Sequence, residues 1–135
     1  MDGQLVLAQL IQTLRAGRRA FNRSAAAFAM QAVRNAKVIP ALEGTVRNKS
    51  ENPDVRGHAA ESLAHYHRKS THNLLIETLQ DTSRDVRFWC AFALGQMHER
   101  KALRDLKSLL NDRRVVRGFS SCWKRSQGQY RNNRA

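Results

Sequence analysis

A chain of 135 residues, 41% of them apolar, can bury one small core, so wholesale disorder is excluded and a single domain is expected. Its net charge of +13 sits at the ends: residues 1–50 hold eight Lys/Arg against Asp2 and Glu43, residues 51–112 hold nine of each sign, and residues 113–135 hold seven Lys/Arg and no acid. Cys90 and Cys122 stand too far apart for a CxxC motif, and apolar runs such as Leu5 to Ile11 are too short for a bilayer, which excludes a disulfide framework, a zinc or redox motif and a membrane span.

The first predicted element is a helix over residues 4–16. Leu7, Leu10, Ile11 and Leu14 fall on one of its faces, and it reads as a leading cap. A repeat begins near residue 22, where Arg23 opens "RSAAAFAMQAV". Arg56 opens "RGHAAESLAHY", Arg87 opens "RFWCAFALGQM" and Arg117 opens "RGFSSCWKRSQ", at offsets of 33, 31 and 30. In the first three copies an alanine follows four residues later (Ala27, Ala60, Ala91). Met30, Leu63 and Leu94 follow at seven. Matched internal spacing of this kind marks a repeat architecture.

The second copy starts near residue 54. Asn52-Pro53-Asp54 supplies an N-cap, a proline at the first helical position and a first-turn acid. Val55, Ala59, Ser62, Leu63 and Tyr66 share a face. The third copy starts near 85, with Ser83 and Asp85 as start signals and Val86, Cys90, Ala93, Leu94 and Met97 on one face. After each such helix a polar break leads to a second helix, containing residues 36–46, 72–80 and 101–111 in turn. A partial repeat follows at 113–125, and residues 126–135 read as a basic flexible tail. The expected fold is all-α: a short right-handed α-solenoid of helical hairpins over residues 1–125, each hairpin burying its faces against its neighbours.

The Asp-Val-Arg starts (Asp54-Val55-Arg56 and Asp85-Val86-Arg87) and "CAFALG" (Cys90 to Gly95) resemble the HEAT-like repeats of the phycobilisome-lyase type, over roughly residues 20–120. The resemblance implies that the repeat arginine meets an acid of the adjoining repeat. Asp81 and Asp112 stand in register for that role, 31 residues apart. Arg23, Arg56, Arg87 and Arg117 are therefore assigned to stacking and Leu63 and Leu94 to the core, because one arginine per repeat at a fixed phase is what stacking requires.

"RFWCAFALGQM" also resembles the helices of deoxyhypusine hydroxylase, a di-iron enzyme whose helices place a His-Glu pair directly after the arginine. Here those two positions hold Ser24-Ala25, Gly57-His58, Phe88-Trp89 and Gly118-Phe119. That substitution argues against hydroxylase activity, since iron needs oxygen and nitrogen ligands. His58, Glu61 and His65 fall at i, i+3 and i+7, a spacing that could hold a divalent metal, but a fourth ligand is missing and a polar helix face is the preferred reading. Cys90 lies on the core stripe, where a free cysteine acts as a small apolar residue. No Gly-rich phosphate loop is present. No catalytic, cofactor-binding or metal-binding residue is expected.

The function expected from the sequence is a non-enzymatic module that presents a groove to a protein partner. Two alternatives stay open: nucleic-acid binding through the basic ends, and an accessory role in lyase-type machinery. The candidate contacts to an anionic partner are Arg15, Arg18 and Arg19 near a turn, with Arg113, Arg114, Lys124, Arg125, Arg131 and Arg134 at the far end, where Trp123 and Tyr130 could stack on bases. No secretory leader and no membrane contact are expected, and a reducing, cytoplasmic setting follows. The oligomeric state stays open.

Overall fold

The computed structural model describes residues 3–97. They form six α-helices: α1 (Gly3–Ala16), α2 (Ala20–Val33), α3 (Ile39–Arg47), α4 (Pro53–Leu63), α5 (Lys69–Thr78) and α6 (Arg84–Gln96). No strand occurs among the described residues. Helices α2, α4 and α6 pack side by side as one layer, α2 on α4 and α4 on α6. The row α1, α3, α5 forms the second layer, joined to the first through α1 on α2, α3 on α4 and α5 on α6. This is an all-α solenoid of stacked hairpins. The helix expected at 101–111, the partial repeat at 113–125 with Arg117, and the tail at 126–135 lie outside the described residues.

Local chemistry explains where the helices start and stop. Asn52 Oδ1 accepts from the Asp54 amide at 2.8 Å, and Pro53 takes the first helical position of α4, where its missing N–H costs nothing. Ser83 Oγ accepts from the Val86 amide at 3.4 Å to open α6. Helix α2 stops at Val33 because Arg34 enters the left-handed region (φ 52°), as a helix C-cap commonly does. The element containing residues 36–46 is not uniformly α-helical. It opens as a 3₁₀ turn, Ala36–Val38, and α3 begins only at Ile39. Pro40 then falls in the first turn of α3, where a residue without an N–H is tolerated.

The apolar faces read from the spacing become the core. Met30, Leu42, Leu63, Leu75 and Leu94 are completely buried, as are Val55, Val86 and Cys90. Ala27 and Ala60 are buried as well, which lets α2 and α4 approach closely, while Ala91 is only partly buried. Two polar side chains tie α2 to α4. Ser62 Oγ donates to the Ala27 carbonyl, and Tyr66 Oη donates to the Met30 carbonyl at 2.6 Å. Tyr66 itself lies in a 3₁₀ turn, Ala64–Tyr66, rather than in α4. Among the described residues no helix is long and apolar enough to cross a membrane.

Candidate functional site

Three of the repeat arginines, Arg23, Arg56 and Arg87, are absorbed by the framework; Arg117 lies outside the described residues. Arg56 is 3% exposed. Its Nε and Nη2 donate to the Val46 carbonyl at 3.0 and 2.7 Å, and its Nη1 and Nη2 donate to the Asp81 carboxylate at 3.1 and 2.6 Å. It thus joins the last turn of α3 to the segment that follows α5. Arg23 repeats the pattern one unit earlier. Its Nε and Nη2 donate to the two Glu51 oxygens at 2.8 Å each, and its Nη1 donates to the Gly17 carbonyl at 2.6 Å. Arg87 Nη1 donates to the Asp81 and Thr82 carbonyls at 2.7 and 3.1 Å; Asp112, its expected acid, lies outside the described residues.

Sequence reading found Asp81 and missed Glu51, which stands one residue off the 31-residue register. The signal was present in another form, because both acids lie just ahead of the next first-layer helix and cap its entry. Glu51 Oε1 accepts from the Asn52 amide at 2.7 Å and Asp81 Oδ1 from the Ser83 amide at 2.9 Å. Hydrogen bonds from Arg23 hold the Glu51 carboxyl below its ordinary range, against the cost of partial burial. For Asp81 burial opposes ionisation, yet the Arg56 hydrogen bonds, the Ser83 amide and the charges of Arg56 and Lys49 outweigh it and hold this carboxyl low too.

The side chains left over gather on α2, α4 and α6, close to the repeat arginines. Two residues after each arginine come Ala25, His58 and Trp89; five residues after come Phe28, Glu61 and Phe92. The rings form a continuous surface across three helices. The His58 ring centroid lies 5.8 Å from Phe28, edge-on, and 5.6 Å from Trp89. Trp89 meets Phe92 edge-on at 5.7 Å and Phe88 at 5.3 Å. Glu61 Oε2 approaches His58 Nδ1 at 3.3 Å. Phe28 and Phe92 are 48% and 37% exposed, and His58, Glu61 and Trp89 are half-buried, so the surface opens to solvent.

The same geometry tests the di-iron arrangement at these positions. A His-Glu pair after Arg56 would put its first ligand at residue 57. A Cβ built on Gly57 would lie 2.3 Å from Trp89 Cδ1, so the indole occupies the space that a side chain there would need. The residues present do not fit an iron pair at this place. His65 leaves the face assigned to it, because α4 ends at Leu63 and His65 lies exposed in the 3₁₀ turn; of that trio the structure brings together His58 and Glu61. No group of three or more His, Cys, Asp or Glu side chains suited to a metal occurs among the described residues. The sequence does contain a His-Glu dipeptide, His98-Glu99, but it lies eleven residues after Arg87 and outside the described residues. Burial pushes the Cys90 thiol well above its usual range, which leaves it unreactive.

Arg15, Arg18 and Arg19 are exposed around the connection between α1 and α2. The other expected anion contacts, Arg113, Arg114, Lys124, Arg125, Arg131 and Arg134, lie outside the described residues.

The chain is 36% identical over 77 residues to Deoxyhypusine hydroxylase-B of Oryza sativa subsp. japonica, covering 56% of this chain and 26% of that protein. It is 36% identical over 75 residues to Deoxyhypusine hydroxylase of Arabidopsis thaliana, covering 55% of this chain and 24% of that one. The chain spans about a quarter of the length of these curated relatives. These likenesses overturn the expectation of a non-enzymatic interaction module, because the relatives are named as enzymes; neither nucleic-acid binding nor a lyase accessory role fits them better. The expectation failed because it took one local ligand pair as the test of kinship, while the likeness extends over more than half of the chain. The model of HEAT repeats matches residues 45–118, without distinguishing the phycobilisome-lyase type. That match spans more than half of the sequence, and the chain belongs to the HEAT-repeat family.

Proposed function

We propose that this chain is part of a hydroxylase-type HEAT-repeat enzyme that acts on a deoxyhypusine-bearing polypeptide, with its described repeats engaging that polypeptide. The observation that carries this reading is the 36% identity to two deoxyhypusine hydroxylases over more than half of the chain. Deoxyhypusine is an amine-bearing side chain, so such an enzyme must hold a protein and an alkylammonium group together. A solenoid supplies the extended surface that a protein substrate needs, and HEAT repeats commonly mediate protein interactions. Exposed Arg15, Arg18 and Arg19 offer an acidic stretch of the polypeptide a further contact. Because the residues after Arg56 and Arg87 do not fit an iron pair, no chemical step is assigned to them.

The test is direct. The full chain is incubated aerobically, with ferrous iron supplied, with a deoxyhypusine-bearing polypeptide, and the polypeptide is weighed by mass spectrometry. A gain of one oxygen atom above the protein-free control supports the reading. No gain, under conditions where the rice relative gives one, together with no binding of the polypeptide by the chain, overturns it.

A further inference from the structure

We propose that the surface formed by Phe28, His58, Glu61, Trp89 and Phe92 is a binding site for the alkylammonium end of a lysine-like side chain. This deepens the reading above by naming the residues that would take the amine. Scattered exposed aromatics need no explanation, but a continuous set of rings across three helices does. Neighbouring rings lie between 5.6 and 5.8 Å apart from Phe28 through His58 and Trp89 to Phe92.

Three features select a cation on an alkyl chain. An indole and two phenyl rings offer π faces, and indole is the strongest of the aromatic partners for ammonium. Methylene groups can lie on the same rings while the charged head stays wet. The Glu61 side chain, 17% exposed and beside His58, supplies the negative charge. The three helices that carry the surface are close to neutral despite the positive total, with Arg23, Arg56, Arg84 and Arg87 against Asp54, Glu61 and Asp85, and Arg23 is engaged with Glu51. Arg56 is engaged with Asp81 and Val46, and Arg87 with the carbonyls of residues 81 and 82. A metal ion suits the surface less, because the rings outnumber the ligand atoms.

The local register shows why this surface exists here. Gly57 leaves the room into which the Trp89 indole packs, and this places the indole beside His58. At the two positions where the resemblance places a His-Glu pair, α6 thus carries the rings Phe88 and Trp89, and α4 carries His58 at the second.

The experiment uses the full chain with Trp123→Phe, so that Trp89 alone reports by fluorescence. The probes are 1,4-diaminobutane and its diacetylated, uncharged form. The expected result is a saturable change with the diamine and none with the diacetylated form. Glu61→Gln, which keeps the size of the side chain and an oxygen beside His58, weakens diamine binding at least about 3-fold, and Phe28→Ala, at an exposed position, does so at least about 2-fold, in keeping with modest surface cation–π energies. Circular dichroism confirms that both variants stay folded. A response that never saturates, equal responses to both probes, or undiminished binding by Glu61→Gln would overturn the inference. Diamine binding with neither oxygen gain in the polypeptide nor binding of it would count against the enzyme reading alone; oxygen gain without discrimination between the probes would count against this site alone.

Discussion

Arg56 and Asp81 meet through hydrogen bonds of 3.1 and 2.6 Å, with side chains only 4% and 3% exposed. Removing one member of a buried pair leaves the other charged and uncompensated, at a cost of about 3–5 kcal/mol. Asp81→Ala is therefore expected to lower the unfolding free energy by that amount in urea denaturation. Arg56→Met with Asp81→Leu is expected to lose much less than the two single changes added together. Additive losses would show that the pair does not act as a unit.

The acid limb of stability follows from the same contacts. Glu51 and Asp81 both ionise more readily in the folded chain than in the unfolded one. A carboxyl depressed in this way contributes stability that is fully present above its unfolded value, roughly pH 4, and is lost as pH falls through the folded value. Melting temperature is expected to fall on acidification below about pH 5. In the Glu51→Gln, Asp81→Asn double variant that fall is shallower, because neither position then titrates. Identical slopes for the two proteins would refute the assignment.

Much of this frame was legible because it is periodic. The fixed phase of Arg23, Arg56 and Arg87 gave three first-layer helices, and seven residues onward gave Met30, Leu63 and Leu94, all fully buried. Asp81 was readable because it repeats in register; Glu51 was not, because the connection between Arg23 and Arg56 is two residues longer than the next. The candidate site was hidden for a different reason. Its members recur at two phases of the repeat, two and five residues after the arginine, but their chemistry changes from copy to copy (Ala25, His58, Trp89 and Phe28, Glu61, Phe92), so no recurring residue type marked them. Reading Phe88-Trp89 as the loss of a ligand pair led to the expectation of a non-enzymatic module, which the hydroxylase relatives overturn. It missed that Gly57 and Trp89, 32 positions apart, form one packing unit.

Burial separates the side chains that matter for stability from those that do not. Leu63→Ala removes a fully buried core side chain and is expected to cost about 2–5 kcal/mol. Leu94→Asp places an unpaired charge in an equally dry position and is expected to abolish cooperative unfolding. Phe21→Ser, at a position 80% exposed, is expected to change stability by no more than about 0.5 kcal/mol. Thermal melts of the three proteins check the ordering, and a large loss at Phe21 would mean that its ring is covered in solution.

Two helical glycines give the sharpest contrast. In a helix interior, Gly→Ala ordinarily gains about 0.5–1 kcal/mol by restricting the unfolded chain. Gly44 in α3 has open space around the added methyl, so Gly44→Ala is expected to show that gain. Gly57 in α4 does not, because its Cβ would stand 2.3 Å from Trp89 Cδ1 and 2.8 Å from Cγ. The ring must move, and overpacking of this kind costs about 1–3 kcal/mol, enough to reverse the sign. Trp89→Leu should relieve the clash, so Gly57→Ala is expected to stabilise the protein in that background. The coupling between positions 57 and 89, measured as a double-mutant cycle from chemical denaturation, is then large, and its absence would mean that the indole does not rest on Gly57. The same cycle bears on the amine site. If the indole is what Gly57 accommodates, Gly57→Ala alone should also shift the Trp89 emission and weaken diamine binding, while Gly44→Ala leaves both unchanged.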